Sequence, residues 1–361
     1  MVRIPAQQNG VRFLSQAGRT RERRAGRHDD EGGFALIRLA ALLFFLLLPV
    51  AAQALTVQGN QFVEGDKPVI LRGIAVGDVT DLPSDTNPYP EIAREWHANV
   101  VRISIHPGTW RDHKDKALST LKHHVEMARD AGLYVIIDYH AIGFPDGYAL
   151  DYFDVTDPST KTDHYDSRFS LAMDFWMTIA LNYTDPAILF ELWNEPSSNT
   201  EEEEGGDLSY WKKYRPYWRV LTDAIRASGN KNVLLAAPPL WAYNLRGLKD
   251  DLLPDENTAY VWHVYAGEAP EDWADALDDL DKAKPVIVTE WGFEPDAKQH
   301  WSGSAEDYGT PFADFMDARG LSSTAWCWNP DYGPSLRKQS GKLTVWGQFT
   351  QEYLKKHAVG Q

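Results

Sequence analysis

The sequence is poor in several residue types and motifs, and each shortage excludes a class of protein. Its 361 residues include a single cysteine, Cys327, so an internal disulfide framework is excluded. Acidic side chains outnumber basic ones by 52 to 36, which argues against nucleic-acid binding by the chain as a whole. The sequence has no Gly-x-Ser-x-Gly elbow for a serine esterase and no phosphate-binding glycine loop. No His-x-His motif marks an early strand, so we expect no bound metal and no other cofactor.

Aromatic residues, in contrast, are abundant. The chain contains 14 Trp, 16 Tyr and 14 Phe, and 43% of its residues are hydrophobic. Such a composition buries a large core and still leaves aromatic surface for a ligand. Disordered and collagen-like proteins are therefore excluded.

The first 54 residues differ from the rest in composition. They carry a net charge of +4 and no lysine, whereas the remainder carries −20. Their arginines precede ten apolar residues, Leu39 to Leu48, and then the small-residue site Ala52-Gln53-Ala54. This order is typical of a secretory signal peptide with a long basic leader, and ten apolar residues are too few to span a bilayer. We expect cleavage after Ala54 and an exported protein with no stable membrane span; an uncleaved anchor and a nucleic-acid-binding arm are the alternatives.

Residues 55 to 361 predict a single domain of the α/β class, a (β/α)8 or TIM barrel. Short apolar, β-branched runs recur along this part of the chain, each followed by a stretch long enough for a helix. The predicted strands are Val69 to Ile74, Asn99 to Ile105, Tyr134 to Tyr139, Ala187 to Trp193, Asn232 to Ala237, Ala259 to Val264, Pro285 to Thr289 and Ser323 to Trp328. Several are continuously hydrophobic, which is typical of parallel strands buried on both faces.

Glycines and a predicted hairpin complete this fold prediction. Gly132, Gly229 and Gly320 each stand between a helical stretch and the next strand, where a left-handed helix end favours glycine. Thr56 to Gln58 and Phe62 to Glu64 flank Gly59-Asn60 and predict a β-hairpin that closes the bottom of the barrel. A doubly wound open sheet is the rival architecture, but no Gly-x-Gly-x-x-Gly follows the first strand.

Polar residues collect at or just beyond the C-terminal halves of these strands. They are Arg102, His140, Asn194, Glu195, His263, Tyr265, Glu290 and Trp328. In a barrel this pattern places them around one mouth, where active sites of such enzymes lie. Glu195 follows the fourth strand and Glu290 ends the seventh. Two carboxyl groups on opposite sides of an anomeric carbon are what glycosidic hydrolysis requires, so the pair predicts a glycosidase.

The motif Trp193-Asn-Glu-Pro196 carries a resemblance to a known family. With Glu290 in Thr289-Glu-Trp-Gly292, the chain resembles glycoside hydrolase family 5, the cellulase-like retaining glycosidases of the barrel clan. The resemblance implies that Glu195 is the acid/base and Glu290 the nucleophile. It also implies that Asn194 bonds the 2-hydroxyl of the cleaved sugar and that Arg102 stabilises the ionised nucleophile.

The same resemblance assigns four further residues to the site. Tyr265 would donate a hydrogen bond to the nucleophile, His263 would lie near the acid/base, and His140 would contact sugar hydroxyls. Trp328 would be the aromatic floor under the cleaved sugar, with a cis peptide after it, and Trp326 is the alternative platform.

The expected substrate is a β-linked oligo- or polysaccharide. The resemblance favours an endo-β-1,4-glucanase, while mannan, xyloglucan, β-1,3-glucan and glycolipid remain open because loops set specificity. A non-catalytic carbohydrate-binding barrel and a metallohydrolase are the other classes considered. Oligomeric state is not predicted.

Two other features of the loops complete the sequence-based expectations. The acidic run Glu201 to Glu204 is expected to form a solvated, mobile loop rather than a calcium site. Aromatic residues at loop positions are candidates for further sugar subsites; they are Trp110, Tyr148, Tyr152, Trp241, Tyr243, Trp301 and Tyr332.

Overall fold

A computed structural model describes residues 54–150, 164–204 and 209–358. Its strands are β1 (Leu55–Gln58), β2 (Gln61–Glu64), β3 (Lys67–Val69), β4 (Arg72–Asp78), β5 (Val100–Ile105), β6 (Tyr134–Tyr139), β7 (Ile188–Glu191), β8 (Leu234–Ala236), β9 (Thr258–Tyr265), β10 (Val286–Gly292) and β11 (Ser322–Ala325). Its helices are α1 (Tyr89–Arg94), α2 (Pro107–Asp130), α3 (Phe169–Asn182), α4 (Glu201–Glu204), α5 (Ser209–Ala227), α6 (Pro239–Ala242), α7 (Trp273–Leu277), α8 (Thr310–Arg319) and α9 (Val345–Ala358). Apart from its last residue, Ala54, the predicted signal peptide lies outside the described residues.

Strands β4 to β11 form a closed parallel barrel. Each strand pairs with its neighbour in chain order, and β11 returns to β4, so the sheet has no free edge. Helices in the connections pack outside the strands, and their apolar faces share a large buried core with the outward side chains of the barrel. The predicted (β/α)8 barrel is confirmed. Because all eight strands are parallel, their C-terminal ends meet at one mouth.

A small antiparallel sheet of β1, β2 and β3 covers the opposite end of the barrel. Leu55 and Phe62 from this sheet are buried in one cluster with inward side chains of the barrel strands, among them Val100, Ile136 and Ile287. The amide of Val57 also donates to the side chain of Asn257, 2.7 Å away. The predicted hairpin is therefore present, and a third strand extends it.

The first barrel strand begins later than predicted. Residues 67–69 pair antiparallel with β2, so the barrel strand runs from Arg72 to Asp78 instead of from Val69 to Ile74. The predicted turn glycines behave as expected: Gly132, Gly229 and Gly320 all have positive φ, between 65° and 88°. Within the described residues, no helix combines the length and the apolar composition needed to cross a membrane.

The acidic run after the fourth barrel strand differs from its prediction. Residues 201–204 form helix α4, and Glu203 is only 2% exposed. Its carboxylate accepts hydrogen bonds from Ser198, Tyr214 and the amide of Leu240. The prediction of a solvated, mobile loop was wrong at this residue, because its charge is compensated by donors from distant segments that the local sequence does not reveal.

Candidate active site

Two glutamates lie together at the mouth of the barrel. Glu195 follows β7, where the amide of Glu195 donates to Ala141 and its carbonyl accepts from Gly143. These bonds fix the backbone of the loop against the end of β6. Glu290 lies within β10, near its C-terminal end, where the pairing with β9 shifts register. The two residues therefore come from strands on different sides of the closed barrel.

The two carboxyl groups approach each other closely. One oxygen of Glu195, one oxygen of Glu290 and one ring nitrogen of His263 all lie within 4.8 Å of one another. Retaining glycosidases hold their two carboxyl groups about 5 to 5.5 Å apart, and inverting ones about 6.5 to 9.5 Å apart. The observed approach matches the retaining class.

Glu290 is fixed by two donors. Nη1 of Arg102 bonds one carboxylate oxygen at 2.8 Å, and the hydroxyl of Tyr265 donates to the other at 2.6 Å. Burial, together with the charges of Glu290 and Glu195, raises the pKa of Tyr265 well above its usual value, so this hydroxyl keeps its proton. Glu290 therefore sits in one orientation with both oxygens hydrogen-bonded.

Arg102 is completely buried and connects several acidic groups. Its guanidinium makes a two-point contact with Glu191 at 2.7 and 3.0 Å and lies 3.1 Å from Asp138. It also donates to the side-chain oxygen of Asn194 at 2.7 Å. One guanidinium thus orients the nucleophile candidate Glu290 and the adjacent amide of Asn194 through a single rigid fork.

The pKa values of two acidic partners of Arg102, Asp138 and Glu191, are shifted in opposite directions. Burial raises the pKa of Asp138 to about 7, although Arg102 opposes this shift. For Glu191, burial is outweighed by the charges of Arg102 and His263 and by the hydrogen bonds from Arg102, which lower its pKa. The difference follows from geometry, because Glu191 receives two bonds from Arg102 and Asp138 makes a single contact with it.

Glu195 has a more open environment than Glu290. Its side chain is 14% exposed, compared with 5% for Glu290, and His263 Nδ1 is its ring partner at 2.9 Å. The other ring nitrogen of His263 contacts the hydroxyl of Thr289 at 2.9 Å, and Thr289 donates to Glu191. Burial opposes a charge on His263, but Glu290, Glu191 and Glu195 raise its pKa to about 9.

His140 directly follows β6, three strands away around the barrel from His263 in β9. Its Nδ1 is 2.7 Å from Asp138, and its ring stacks on Trp326 with centroids 5.3 Å apart and planes parallel to within 1°. Burial, reinforced by the charges of His106 and Arg102, lowers the pKa of His140 to about 3, so the ring is neutral at ordinary pH. A neutral imidazole offers one donor or one acceptor to a hydroxyl group.

Trp326, rather than Trp328, borders this site. Trp326 packs with Tyr265 and lies 5.8 Å from the guanidinium of Arg102. Trp328 instead packs edge-on against Trp96, 5.4 Å away, and under the guanidinium of Arg337 at 4.0 Å. This packing favours Trp326, the alternative platform, over Trp328; strand pairing ends at Ala325, so neither tryptophan lies in a regular part of β11. The cis peptide likewise joins Trp326 to Cys327, not Trp328 to Asn329.

Of the sequence-predicted residues, the structure gathers Arg102, Asn194, Glu195, His263, Tyr265 and Glu290 into one bonded group, with His140 beside it. Sequence reasoning did not single out Asp138, Glu191 and Thr289, which hold this group in place. The signal was available: Asp138 and Glu191 are acids within otherwise apolar barrel strands, so each needs an internal partner.

Two groups of side chains in the described part of the chain have the spacing of a metal site. One is Glu195, His263 and Glu290, which is the carboxylate pair itself. The other is Asp78, Asp81 and His106. Asp78 already accepts bonds from Thr80 and from both the amide and the ring of His106, so its oxygens are occupied by donors.

The aromatic residues proposed for further subsites fall into different environments. Trp110 is buried against Phe175 and belongs to the core. Trp301 and Tyr332 lie about the edge of the mouth, near Tyr265 and Trp326 respectively. Trp241 is half-buried in the loop after β8. Tyr152 lies outside the described residues.

Comparisons with known proteins agree with this geometry. The sequence model of the cellulase family, glycosyl hydrolase family 5, matches residues 63–332. Endoglucanase C of Evansella cellulosilytica is 28% identical over 290 residues, which are 72% of this chain and 34% of that protein. A cellulase of Thermoanaerobacterium is 26% identical over 62% of this chain and 57% of its own length. The chain thus spans about a third to somewhat more than half of these curated relatives.

Solved structures give the same result at the level of the fold. A β-glucanase from Saccharophagus degradans, solved in complex with cellotetraose, is 26% identical with a TM-score of 0.73, covering 85% of this chain and 94% of its own. An endoglucanase catalytic domain from Thermobifida fusca, 21% identical, shares the fold with a TM-score of 0.67 over 84% of this chain and 97% of its own. Together with the match over most of the barrel, these findings establish that the chain belongs to glycosyl hydrolase family 5.

Proposed function

We propose that this protein is a retaining glycoside hydrolase that cleaves internal β-1,4 bonds of glucans by a two-glutamate double displacement. The observation that carries the proposal is the approach of Glu195 and Glu290 to within 4.8 Å in one mouth. A gap of this size accommodates an anomeric carbon between the two carboxyl groups, with no room for a separate attacking water.

In the first step, Glu290 attacks the anomeric carbon while Glu195 protonates the departing oxygen. Arg102 and Tyr265 hold Glu290 by its two oxygens, so the attacking group is oriented before substrate arrives. The bond between the anomeric carbon and the leaving oxygen breaks, and the proton of Glu195 leaves with that oxygen. The product of this step is a glycosyl ester on Glu290.

In the second step, Glu195 acts as a base toward water. It removes a proton from the water that attacks the anomeric carbon, and the ester bond to Glu290 breaks, which restores both residues. His263 contacts Glu195 at 2.9 Å and, when protonated, stabilises the ionised form of Glu195 between the two steps. Asn194 is held by Arg102 through its oxygen, which leaves its amide nitrogen to donate to the sugar 2-hydroxyl.

The aromatic side of the mouth supports a sugar ligand. Trp326 has its ring beside Tyr265 and His140, next to the carboxylate pair. An indole presents a flat apolar face that packs against the C–H face of a sugar ring, while neutral His140 bonds a hydroxyl group. The binding of cellotetraose by the Saccharophagus β-glucanase, and the endoglucanase names of the sequence relatives, favour a β-1,4-glucan as the substrate.

The test is a panel of purified glycans with product analysis. We expect soluble cellulose derivatives and β-glucan to be shortened to oligosaccharides of mixed length, with the β-anomer of the new reducing end appearing first by proton NMR. Faster cleavage of mannan, xyloglucan, β-1,3-glucan or glycolipid would assign the protein a different substrate within the same family. An α-anomer formed first contradicts the retaining mechanism, and binding without turnover supports a non-catalytic barrel.

We also propose that the protein is exported and that residues 1–54 are removed as a signal peptide. The support is the order of an arginine-rich segment, ten apolar residues and Ala52-Gln53-Ala54. N-terminal sequencing of the exported protein should begin at Leu55. A protein that retains residue 54 and sediments with membranes would instead be an uncleaved anchor.

A further inference from the structure

A buried carboxylate is hydrogen-bonded to the loop that carries the acid/base candidate Glu195, and it has no part in the proposed chemistry. Glu203, in α4, is 2% exposed. Within the part of the chain that the structure describes, no lysine, arginine or histidine forms an ion pair with it. A buried carboxylate without a cation is costly unless several donors surround it, and such a residue is expected to hold a defined local geometry.

The donors to Glu203 come from three separate segments. Ser198, three residues after Glu195, donates through both its amide and its hydroxyl, the latter at 2.6 Å. Tyr214 of α5 donates its hydroxyl at 2.8 Å. The amide of Leu240, in the loop after β8, donates at 3.1 Å. Glu203 therefore joins the loop that carries Glu195 to the loop of the next barrel strand.

The loop after β8 has an unusual backbone at the point that Glu203 holds. Leu240, Trp241 and Ala242, which make up most of α6, have φ values of 58°, 56° and 62°, so three consecutive residues with side chains are left-handed and α6 is not a regular right-handed helix. This region is rarely adopted by residues other than glycine, and surrounding contacts must maintain it. Two amides supply such contacts: Leu240 donates to Glu203, and Trp241 donates to the carbonyl of Pro196 at 3.1 Å.

The turn that carries Trp241 follows the C-terminal end of β8 and therefore lies on the mouth side of the barrel. This indole is half-buried, and it makes no ring contact or side-chain hydrogen bond with the described residues. Its backbone is bonded to Pro196, the residue after Glu195. Because Glu195 protonates the departing oxygen, the sugar that leaves lies on the Glu195 side of the cleaved bond. Trp326, after the eighth barrel strand, belongs to the other side of the mouth.

We propose that Glu203 is a positioning residue that holds the Trp241 turn against the Glu195 loop and thereby sets turnover on substrates with sugars on the leaving-group side. This inference rests on the proposed glycosidase function. Glu203 touches no reacting atom. It acts through Ser198 and Leu240, whose positions fix the Glu195 loop and the Trp241 turn relative to each other.

Two substrates separate this role from a general effect on folding. Cellotetraose needs leaving-group sugars to be bound during cleavage, whereas β-cellobiosyl fluoride loses only a fluoride ion and places no sugar there. For Glu203→Gln, whose new NH2 group cannot accept from Ser198 or Leu240, we expect kcat/KM on cellotetraose to fall about tenfold. On the fluoride the same variant should lose less than about twofold.

A double-mutant cycle tests whether Glu203 acts through Trp241. Trp241→Ala should show the same split between substrates, and the double variant should lose no more on cellotetraose than Trp241→Ala alone. Glu201→Gln, exposed on the same helix, is the matched control and should match the wild type on both substrates. Should Glu203→Gln fail to fold, Tyr214→Phe removes one donor and should give the same split with a smaller loss.

The outcomes distinguish the two proposals. Equal losses on both substrates, or fully additive losses in the cycle, contradict the role of Glu203 while leaving the glycosidase proposal intact. A wild-type protein inactive on both substrates contradicts the proposed function itself.

Discussion

The two glutamates of the mouth have opposite surroundings. Glu290 is 5% exposed and has a strong donor on each oxygen, Arg102 and Tyr265. Glu195 is 14% exposed, and its partner is a histidine that can itself gain or lose a proton. A nucleophile needs one fixed orientation and a permanent charge, whereas an acid/base must exchange a proton with substrate and water in every cycle. The asymmetry of the site matches this division of roles.

The buried charged groups of the site are also distributed unequally between the two glutamates. Arg102, Glu191 and Asp138 form an ion cluster beneath Glu290, entirely shielded from solvent. Beneath Glu195, the corresponding support is the single chain from His263 through Thr289 to Glu191. Substitutions around Glu290 and substitutions around Glu195 should therefore affect different properties of the enzyme.

The largest expected effect follows removal of the nucleophile. Glu290→Ala should lower kcat by at least about 10⁴-fold, because no covalent intermediate can form. Added azide or formate should partly restore the cleavage of an activated aryl cellobioside by entering the vacated side, with an α-configured product seen by NMR. Glu294→Ala, an exposed neighbour, is the control. Full activity in Glu290→Ala would place the nucleophile elsewhere.

The acid/base side should respond to the leaving group. Glu195→Gln should slow cellotetraose about 10²- to 10⁴-fold, since a sugar leaves poorly without a proton. Formation of the covalent intermediate from a dinitrophenyl cellobioside, whose leaving group needs no proton, should be nearly unaffected in a pre-steady-state burst. Equal slowing of this burst and of cellotetraose cleavage would argue against the acid role.

Loss of one donor to Glu290 should have a smaller effect. Tyr265→Phe keeps the ring and removes the 2.6 Å hydrogen bond, so Glu290 loses one of its two fixed contacts. A hydrogen bond to a charged group contributes about 1.5–3 kcal/mol, which corresponds to a fall of about ten- to a hundredfold in kcat. Steady-state kinetics with thermal unfolding as a control measure this; an unchanged kcat contradicts the orientation argument.

The smallest effect is a pH dependence of stability on the acid/base side. The pKa of His263 is raised from 6.5 to about 9, so protonated His263 stabilises the fold fully below pH 6.5. This contribution disappears as pH rises through about 9. The difference in Tm between wild type and His263→Gln should therefore shrink between about pH 6 and about pH 10. A difference that stays constant over this range would mean that the pKa of His263 is the same in the folded and the unfolded protein.

Much of the fold and most of the hydrogen-bonded residues of the site could be predicted from sequence, because they lie on regular strands or directly after them. The position of Glu290 follows from one apolar run and its end, and the motif around Glu195 marks the loop after the fourth strand. The choice between Trp326 and Trp328 could not be made from sequence, because strand pairing stops at Ala325 and the side-chain directions beyond it depend on packing. Where regular strand pairing has ended, long-range contacts determine the direction of each side chain.

Glu203 illustrates the same limit more strongly. In the sequence Glu203 lies within a run of four glutamates, and this run predicts a solvated loop. Its burial depends on Tyr214 and Leu240, which are 11 and 37 residues away along the chain. No local pattern connects these three residues, so only the assembled barrel reveals the contact.

Trapping of the covalent intermediate tests the central claim most directly. The protein would be treated with 2-deoxy-2-fluoro-β-cellobiosyl fluoride, digested, and mapped by tandem mass spectrometry. The account predicts one labelled peptide, with the sugar esterified to Glu290 and no label in the Glu290→Ala variant. A label on any other residue, including Glu195, would contradict it.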